Sequence, residues 1–350
     1  MVAKERLRVA VLGASGYTGA ELVRLLAGHR FVEIRALTAE RRAGRHPGEV
    51  FPHLAGLDLP PLVRLEEVDF AGLDAVFCCL PHGLTQEVVA GLPDHLRIVD
   101  LSADFRLRDP AVYEATYGRP HRALALQREA VYGLTEHYRE AIRGARLVAN
   151  PGCYTTTAEL ALVPLLARGP LIDPDRIVID AKSGVSGAGR EPRIGSLYCE
   201  VAEGFHAYGV ATHRHTPEIE QCLADFLGRS LAVIFTPHLV PMNRGILATI
   251  YVDLAEGATP EDLHAALTGA YREEPFVRVL PLGRLPTTRE VRGTNLCLLG
   301  VHRARVKGRA ILVSVLDNLV KGASGQALQN LNVMAGLPET EGLPTLPLFP

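Results

Sequence analysis

The pattern of apolar and polar positions divides the chain into two parts of different character. In the first part, short apolar runs alternate with stretches in which apolar residues recur every three or four positions. The runs have the length of strands, and the stretches have the period of amphipathic helices. They predict strands at residues 8–12, 32–38, 75–80 and 97–100, and helices at residues 19–27 and 86–91. Strands that alternate with helices predict a parallel, doubly wound sheet.

The second part has longer strands that follow one another more closely. They are predicted at residues 176–181, 231–235, 246–254, 296–301 and 309–315. A helix is expected from Pro260, with Thr259 as its N-cap, and a last helix at residues 327–335. Runs of strands with few helices predict an α+β domain with a mostly antiparallel sheet. The polar segment 104–129, which contains prolines, is interpreted as an ordered surface excursion.

Length and composition limit the class of protein. The 350 residues suggest about two domains. Apolar residues make up 47% and charged residues 22%, a globular balance that argues against a disordered or fibrous chain. The net charge of −2 gives no basic surplus, so a nucleic-acid partner is not expected. No apolar run approaches the ~20 residues of a membrane span, so no membrane association is expected.

The cysteines indicate a reduced compartment. Among the 6 cysteines there is no CxxC pair, so no metal site is predicted. Cys78 and Cys79 lie in an apolar run, where a thiol acts as a small hydrophobic side chain. The N-terminal segment lacks the apolar region and the cleavage pattern of a secretory leader. A cytoplasmic location is expected.

The tetrapeptide Pro151-Gly152-Cys153-Tyr154 is the strongest chemical signal in the chain. It follows a strand-like run and precedes a helical pattern, so Cys153 is predicted at a helix N-terminus. Unpaired N–H groups at such a terminus favour an anion, and we expect them to lower the pKa of the thiol. The same amides suit a developing oxyanion. Cys153 is therefore a candidate for covalent catalysis.

A glycine-rich turn predicts a nucleotide site. Gly13-Ala-Ser15-Gly16-Tyr17-Thr18-Gly19 follows the first strand and opens the first helix. In that setting glycines let the backbone approach a pyrophosphate at the helix N-terminus.

The end of the second strand favours NADP over NAD. An acidic residue there would bind the ribose 2′-hydroxyl. This chain has Thr38, Arg41 and Arg42 instead, and guanidinium groups suit a 2′-phosphate. The alternative is a solvated basic turn.

Two further clusters supply polar chemistry. His213 and His215 are two residues apart, so both imidazoles can point to one side of an extended segment, and either is a candidate base for Cys153.

Residues 183–190 form a run of small residues that ends in Arg190, as expected of a loop that admits a ligand and fixes its anionic end. A plain glycine-rich turn is the other interpretation of this loop.

Taken together, these motifs resemble a known family. The blocks are GASGYTG at 13–19, DLSADFR at 100–106, NPGCY at 150–154, SGVSGAGR at 183–190, HRHTPEI at 213–219 and DNLVKGASGQA at 317–327. In this order, and over nearly the whole chain, they resemble the N-acetyl-γ-glutamyl-phosphate reductases of the aspartate-semialdehyde dehydrogenase superfamily. One departure is Thr155, where the family usually has proline.

The resemblance implies a fold and a reaction. It implies a Rossmann-type NADP-binding domain at residues 1–150 and 318–350, and a catalytic and oligomerisation domain at residues 151–317. It also implies that Cys153 forms a thioester from an acyl phosphate, that NADPH reduces the thioester, and that His213 is the acid/base with His215 second. The enzyme would be a homo-oligomer, a dimer or a tetramer, in arginine biosynthesis.

The resemblance also implies further binding residues. Cofactor contacts are expected from Pro81, His82, Ser183, Gly184 and Asn318, although Asn318 would otherwise serve to cap the last helix. Substrate contacts are expected from Arg106, Asn150, Arg190 and Tyr208. Two alternatives stay open: a related substrate, namely a carrier-bound α-aminoadipyl or glutamyl phosphate or aspartyl phosphate, and a regulator that binds NADP without catalysis.

Overall fold

The computed structural model describes residues 6–167, 169 and 171–349. The chain divides into two compact units. The first comprises the described part of Met1–Pro151 together with Ala323–Leu343, and the second comprises the described parts of Gly152–Gly322 and Pro344–Pro350. The predicted second segment of the nucleotide domain, 318–350, therefore differs at both ends, because 318–322 and 344–350 belong to the second unit.

A parallel sheet forms the core of the first unit. Its strands are β1 (Leu7–Leu12), β2 (Val32–Thr38), β3 (Leu62–Val63), β4 (Ala75–Cys78), β5 (Arg97–Asp100), β6 (Val131–Tyr132) and β7 (Leu147–Ala149). Their order is β3-β2-β1-β4-β5-β7-β6, and every pair in it is parallel. Strand β4 is buried along its whole length, as an apolar run in a sheet covered on both faces should be.

Helices flank this sheet. They are α1 (Tyr17–Ala27), α2 (Pro47–Val50), α3 (Thr85–Ala90), α4 (Pro110–Tyr117), α5 (Leu124–Glu129), α6 (Thr135–Arg143) and α11 (Gly325–Met334). Helix α4 begins where the side chain of Asp109 accepts a hydrogen bond from Ala111 and proline occupies the first turn. Helix α11 is buried throughout, and it packs on α1, α6 and β5.

Most residues of the segment 104–129 are exposed, as expected of an ordered surface excursion, but its helices and its buried polar pair were not predicted. The segment contains α4 and α5, and it buries polar side chains. Asp104 and Tyr113 are both 0% exposed, and the Tyr113 hydroxyl donates a hydrogen bond of 3.0 Å to the Asp104 carboxylate. Polar groups can be buried when they are paired, and this pairing cannot be predicted from their spacing in the sequence.

A mixed sheet forms the core of the second unit. Its strands are β8 (Ile172–Gly184), β9 (His206–Ala207), β10 (Ile234–Val240), β11 (Ile246–Leu254), β12 (Val277–Val279), β13 (Cys297–Arg303) and β14 (Arg309–Leu316). Their order is β12-β13-β14-β11-β8-β10-β9. The pairs β8–β10 and β12–β13 are parallel, and the others are antiparallel. Strand β10 begins later than predicted and contains Pro237, a residue that argues against a strand interior.

The helices of the second unit are α7 (Cys153–Leu166), α8 (Tyr198–Val201), α9 (Thr216–Leu227) and α10 (Pro260–Tyr271). Helix α7 is buried at every residue after Cys153 and packs on β8, β11, β14, α9 and α10. Thr259 caps α10 as predicted, since its side chain accepts a hydrogen bond from Asp262. In the part of the chain described here, no helix has the length and apolar character needed to cross a membrane.

Candidate active site

The predicted helix start at Cys153 is confirmed. Cys153 is the first residue of α7, and Gly152 is its N-cap with extended backbone angles. Cys153 is half-buried, whereas the rest of the helix is buried. The Thr155 hydroxyl lies 2.6 Å from the carbonyl oxygen of Gly152, so the side chain that replaces the family's proline closes the first turn with a hydrogen bond. The candidate nucleophile thus lies at a helix start, where first-turn N–H groups can face a ligand.

The start of α9 holds the start of α7. A Cβ atom added to Gly152 would lie 2.5 Å from Nε2 of His215, so glycine is needed for this imidazole to lie against the backbone. The N–H of Gly152 donates a hydrogen bond of 2.8 Å to Glu218, which is 1% exposed. His215 precedes α9, and Glu218 lies in its first turn. One helix start therefore fixes His215 next to the backbone of the nucleophile's N-cap.

His213 has a different environment. Its ring centroid lies 5.6 Å from that of Tyr154, 5.5 Å from that of Tyr208 and 5.3 Å from that of Phe235. Its Nδ1 accepts a hydrogen bond of 3.1 Å from the N–H of His215, which leaves the ring proton on Nε2. The imidazole therefore lies in an aromatic box as a hydrogen-bond donor.

Burial, and then the charge of Arg214, lower the pKa of His213 to about 4. An imidazolium would lose its hydration in the aromatic box and would also face a guanidinium. The ring is therefore neutral at pH 7, in agreement with the hydrogen bond that its Nδ1 accepts.

Tyr208 contacts the residue that follows Cys153, because its hydroxyl donates a hydrogen bond of 3.2 Å to that of Tyr154. Burial raises the pKa of Tyr208 to about 12, and a charge on Cys153 contributes to this increase. The same charge contributes to the increased pKa of Tyr154, for which burial is again the largest cause. The predicted substrate residue Tyr208 is thus within the electrostatic range of the sulfur.

The loop after β8 is fixed by Asn318. Its Oδ1 accepts a hydrogen bond of 2.8 Å from the N–H of Gly245, and its Nδ2 donates one of 2.9 Å to the hydroxyl of Ser186. Asn318 does not cap the last helix, because α11 begins at Gly325 after Ser324. Ser183 and Gly184 end β8, and Arg190 is exposed at the far end of the loop.

Gly322 is a site residue that the sequence analysis missed. A Cβ atom at this position would lie 2.8 Å from Cβ of Cys153 and 3.1 Å from Cδ1 of Leu316. The absence of a side chain therefore lets this segment lie against the nucleophile. Its sequence signal is weak, because a glycine within a helical pattern usually indicates only a local irregularity.

In the first unit, the glycine turn has the geometry expected for a nucleotide site. Gly13 has φ +85°, and an added Cβ would fall on the carbonyl oxygen of Cys79. A Cβ on Gly19 would lie 2.5 Å from the carbonyl oxygen of Gly13. By contrast, a Cβ on Gly16 would meet nothing closer than 3.6 Å. The fold therefore requires Gly13 and Gly19 but leaves the space beside Gly16 open to a ligand.

The residues around this turn suit a dinucleotide. Gly16 is the N-cap of α1, whose first turn contains no acidic residue. Ser15 and Thr18 are half-buried, and Tyr17 is exposed. The Thr38 hydroxyl accepts a hydrogen bond of 3.0 Å from Gly13, so this side chain supports the turn.

Two arginines follow the end of β2. Arg41 and Arg42 are exposed on the single 3₁₀ turn Glu40–Arg42. Paired guanidinium groups complement phosphate charge and geometry, so Arg41 and Arg42 stay the candidates for the 2′-phosphate of NADP.

The turn after β4 is held by the turn after β5. Nδ1 of His82 accepts a hydrogen bond of 2.9 Å from the N–H of Ala103. The N–H of Gly83 donates to both carboxylate oxygens of Asp104, at 2.7 and 2.9 Å. Pro81 itself is exposed. These bonds fix the predicted cofactor residues Pro81 and His82.

Two predicted substrate residues are buried in the first unit. Arg106 is 6% exposed, and its Nη2 donates a hydrogen bond of 3.0 Å to the carbonyl of Leu101. Asn150 is 1% exposed, donates to the carbonyl of Ala323 at 3.3 Å and accepts from Asn330 at 3.3 Å. Within the described ranges, no three His, Cys, Asp or Glu side chains converge to hold a metal ion.

Family models match both units. The model for the semialdehyde dehydrogenase NAD binding domain matches residues 8–145, and the model for the semialdehyde dehydrogenase dimerisation domain matches residues 153–318. Among solved structures, an aspartate semialdehyde dehydrogenase II from Vibrio cholerae has a TM-score of 0.73 at 18% identity, covering 95% of this chain and 99% of that chain. Aspartate semialdehyde dehydrogenase with NADP from Candida albicans has a TM-score of 0.70 at 17% identity, covering 95% and 99%. The predicted fold class is confirmed.

Curated relatives are more similar in sequence. N-acetyl-gamma-glutamyl-phosphate reductase from Rhodospirillum rubrum is 62% identical and covers 99% of both chains. A probable chloroplastic N-acetyl-gamma-glutamyl-phosphate reductase from Arabidopsis thaliana is 59% identical over 98% of this chain and 86% of its own length. These identities confirm the family predicted from the motifs. The chain belongs to the N-acetyl-γ-glutamyl-phosphate reductase family of the semialdehyde dehydrogenases.

Proposed function

We propose that this protein reduces N-acetyl-γ-glutamyl phosphate with NADPH to N-acetylglutamate 5-semialdehyde and inorganic phosphate, as a step of arginine biosynthesis. The observation that carries the proposal is the pairing of Cys153, at the start of α7, with His215, whose ring lies against the preceding Gly152. The relatives at 55–62% identity, which carry the reductase name, support the choice of acyl group.

The reaction begins at the sulfur. The thiolate of Cys153 attacks the acyl carbon, the bond to phosphate breaks, and a thioester forms on the protein. First-turn amides of α7 stabilise the charge that develops on the carbonyl oxygen. When bound, NADPH supplies the hydride that reduces the thioester. Collapse of the resulting hemithioacetal releases the aldehyde and restores the thiolate of Cys153.

The geometry favours His215 as the acid/base, although the family resemblance put His213 first. The imidazole of His215 lies against Gly152, the residue before the nucleophile. It would accept the thiol proton and later exchange a proton with the hemithioacetal oxygen. His213 stays neutral, and its Nε2–H suits a hydrogen bond to a substrate oxygen.

Substrate binding is assigned mainly to Tyr208 and Arg190. Tyr208 donates a hydrogen bond of 3.2 Å to the hydroxyl of Tyr154, the residue that follows Cys153. Arg190 lies exposed on the loop that Asn318 fixes, where its guanidinium can reach an anionic group. Arg106 and Asn150 remain candidates for substrate binding. Their hydrogen bonds to the carbonyls of Leu101 and Ala323 show that they also stabilise the fold.

The second unit is also the candidate for self-association. Its matching family model is described as a dimerisation domain. We propose a homo-oligomer, dimer or tetramer, formed through the β8–β14 sheet and located in the cytoplasm. Light scattering coupled to gel filtration tests the oligomer, and a monomer at micromolar concentration would exclude it.

The proposed activity is tested in the reverse direction. Phosphate-dependent reduction of NADP⁺ is measured with N-acetylglutamate semialdehyde, glutamate semialdehyde and aspartate semialdehyde in parallel. We expect the acetylated compound to have the highest kcat/KM. Preference for another semialdehyde would transfer the assignment to that acyl phosphate, and cofactor binding without turnover would favour a regulator.

A further inference from the structure

Tyr154 connects three elements around the nucleophile. It follows Cys153 in α7 and is 2% exposed. Its hydroxyl donates a hydrogen bond of 3.1 Å to the carbonyl of His238 in β10. The same oxygen accepts a hydrogen bond of 3.2 Å from the Tyr208 hydroxyl, which lies just after β9. One phenol thus connects the helix of Cys153 to strand β10 and to Tyr208.

The ring of Tyr154 also supports both histidines. Its centroid is 5.6 Å from that of His213, with the planes at 89°, and 6.0 Å from that of His215, with the planes at 70°. Phe235 contacts the same ring at 5.3 Å between centroids. These edge-to-face contacts depend on the ring and not on the hydroxyl. A change of Tyr154 to phenylalanine therefore keeps the support of the imidazoles and removes only the hydrogen bonds.

The phenols stay protonated next to the sulfur. Burial is the main reason that the pKa of Tyr208 is raised to about 12, and burial likewise raises the pKa of Tyr154 above its usual range. A charge on Cys153 adds to both increases. Tyr208 therefore remains an O–H donor at neutral pH, and its proton is directed at Tyr154.

We propose that Tyr154 is a positioning residue that acts through Tyr208. Its hydroxyl gives the Tyr208 phenol a fixed acceptor, and its bond to the β10 carbonyl fixes that acceptor in turn. Tyr208 is thereby held in one orientation, one hydrogen bond away from the residue that follows Cys153, where it would meet the substrate. This inference rests on the proposed function, because the task of Tyr208 there is substrate binding.

A double-mutant cycle tests this connection. Tyr154→Phe and Tyr208→Phe are each expected to lower kcat/KM by about three- to tenfold, mainly through KM, the effect of one lost hydrogen bond. Because both changes remove the same interaction, the double variant should be no worse than Tyr208→Phe. Additive losses in the double variant would overturn the proposal.

Tyr271, the last residue of α10, offers a matched control because it also bonds to α7. It is 4% exposed, and its hydroxyl donates a hydrogen bond of 2.6 Å to the carbonyl of Leu160 in α7. Tyr271→Phe should lower Tm by an amount similar to Tyr154→Phe and leave kcat/KM unchanged. If Tyr154→Phe also leaves kcat/KM unchanged, its role is structural only and the proposal fails.

A second readout does not depend on substrate. The same cycle is run on the rate at which iodoacetamide alkylates Cys153. Peptide masses identify the modified residue, because Cys199 is exposed and can react as well. Non-additive effects of the two tyrosine changes are expected here too, and additive effects count against the inference. Absence of turnover in the unmodified protein, with non-additive alkylation, would refute the proposed function and retain the link between Tyr154 and Tyr208.

Discussion

At the residue scale, the two histidines of one short segment have different environments. His213 lies within aromatic rings, and its Nδ1 is occupied by the N–H of His215. His215 lies against the backbone of Gly152. Their spacing made them equivalent candidates, because two residues apart on an extended segment gives the same direction to both side chains. Only the contacts of each ring distinguish the two candidates, and these contacts favour His215 as the proposed acid/base.

This difference predicts unequal effects of substitution. His215→Asn should lower kcat/KM by 10²–10⁴, the usual contribution of general acid–base catalysis. His213→Asn should cost about tenfold, since asparagine can still donate a hydrogen bond. Steady-state kinetics of both variants checks the prediction. Equal losses, or a larger loss at His213, would reverse the assignment.

The lowered pKa of His213 predicts a pH-dependent contribution to stability. The pKa of His213 is about 4 in the folded state and 6.5, the ordinary value of an imidazole, in the unfolded state. Between these pH values the folded protein therefore binds fewer protons at this residue than the unfolded protein does. Its contribution is thus complete above pH 6.5 and is lost as pH falls toward 4. Between pH 7.5 and 5 the loss is about 2 kcal/mol.

Urea unfolding of the protein and of His213→Asn at the two pH values measures this contribution. Because other groups titrate equally in both proteins, the difference between their free energies of unfolding isolates His213. When the pH falls from 7.5 to 5, the free energy of unfolding of the variant should increase by about 2 kcal/mol relative to that of the unmodified protein. An unchanged difference would show that His213 is not held neutral by its surroundings.

At the element scale, the sequence predicted most strands and helices but not the contacts that fix the site. Apolar periodicity located β2 and β11 within their observed bounds, because those strands are defined by burial. The helix start at Cys153 was predictable from Gly152 and the strand before it. The contact of Glu218 with the start of α7 was not predictable. An acidic residue in the first turn of a helix is already explained by its favourable interaction with the helix dipole. Its bond to Gly152 depends on a contact 66 residues away in sequence.

Gly322 is predicted to control the position of the nucleophile. Gly322→Ala would bring a methyl group to 2.8 Å from Cβ of Cys153, so the start of α7 or the segment itself must shift. We expect kcat to fall at least tenfold, with a smaller change in KM, because misplacement of a reacting group affects the chemical step most.

Gly269 in α10 provides the control for that substitution. A Cβ there meets nothing within 4 Å. Gly269→Ala should leave kcat unchanged and raise the free energy of unfolding by about 0.5–1 kcal/mol. Wild-type kcat in Gly322→Ala would contradict the close approach inferred here.

At the scale of the whole molecule, the architecture was predictable and the exact division of the chain was not. Strands that alternate with helices form the parallel sheet, and strands that follow one another directly form the mostly antiparallel sheet, because the type of connection decides how neighbouring strands pair. The chain passes between the units after Pro151, after Gly322 and again after Leu343. The last of these passages depends on hydrogen bonds such as that from the N–H of Asn295 to the carbonyl of Pro344. The sequence of an irregular tail does not predict such bonds.

The preference for NADPH over NADH should depend only on residues of the first unit. Arg41→Ala combined with Arg42→Ala should lower kcat/KM for NADPH by about 10–100-fold, as expected when charge-assisted hydrogen bonds to a phosphate are lost. The value for NADH should stay within about twofold, because NADH has no 2′-phosphate. Arg35→Ala, an exposed arginine of β2 paired with Glu33, is the control. An unchanged ratio of the two cofactors would exclude these arginines from the phosphate site.

The burial of α7 on every side constrains how the enzyme can move. Thirteen consecutive residues after Cys153 have no solvent-facing side, so the helix cannot rock or unwind without opening the centre of its unit. Its amides should exchange with solvent only when the whole unit unfolds. Cys153, the proposed nucleophile, is therefore expected to keep its position during turnover. Whatever adjustment admits acyl phosphate and releases aldehyde falls to the partly exposed loops around it.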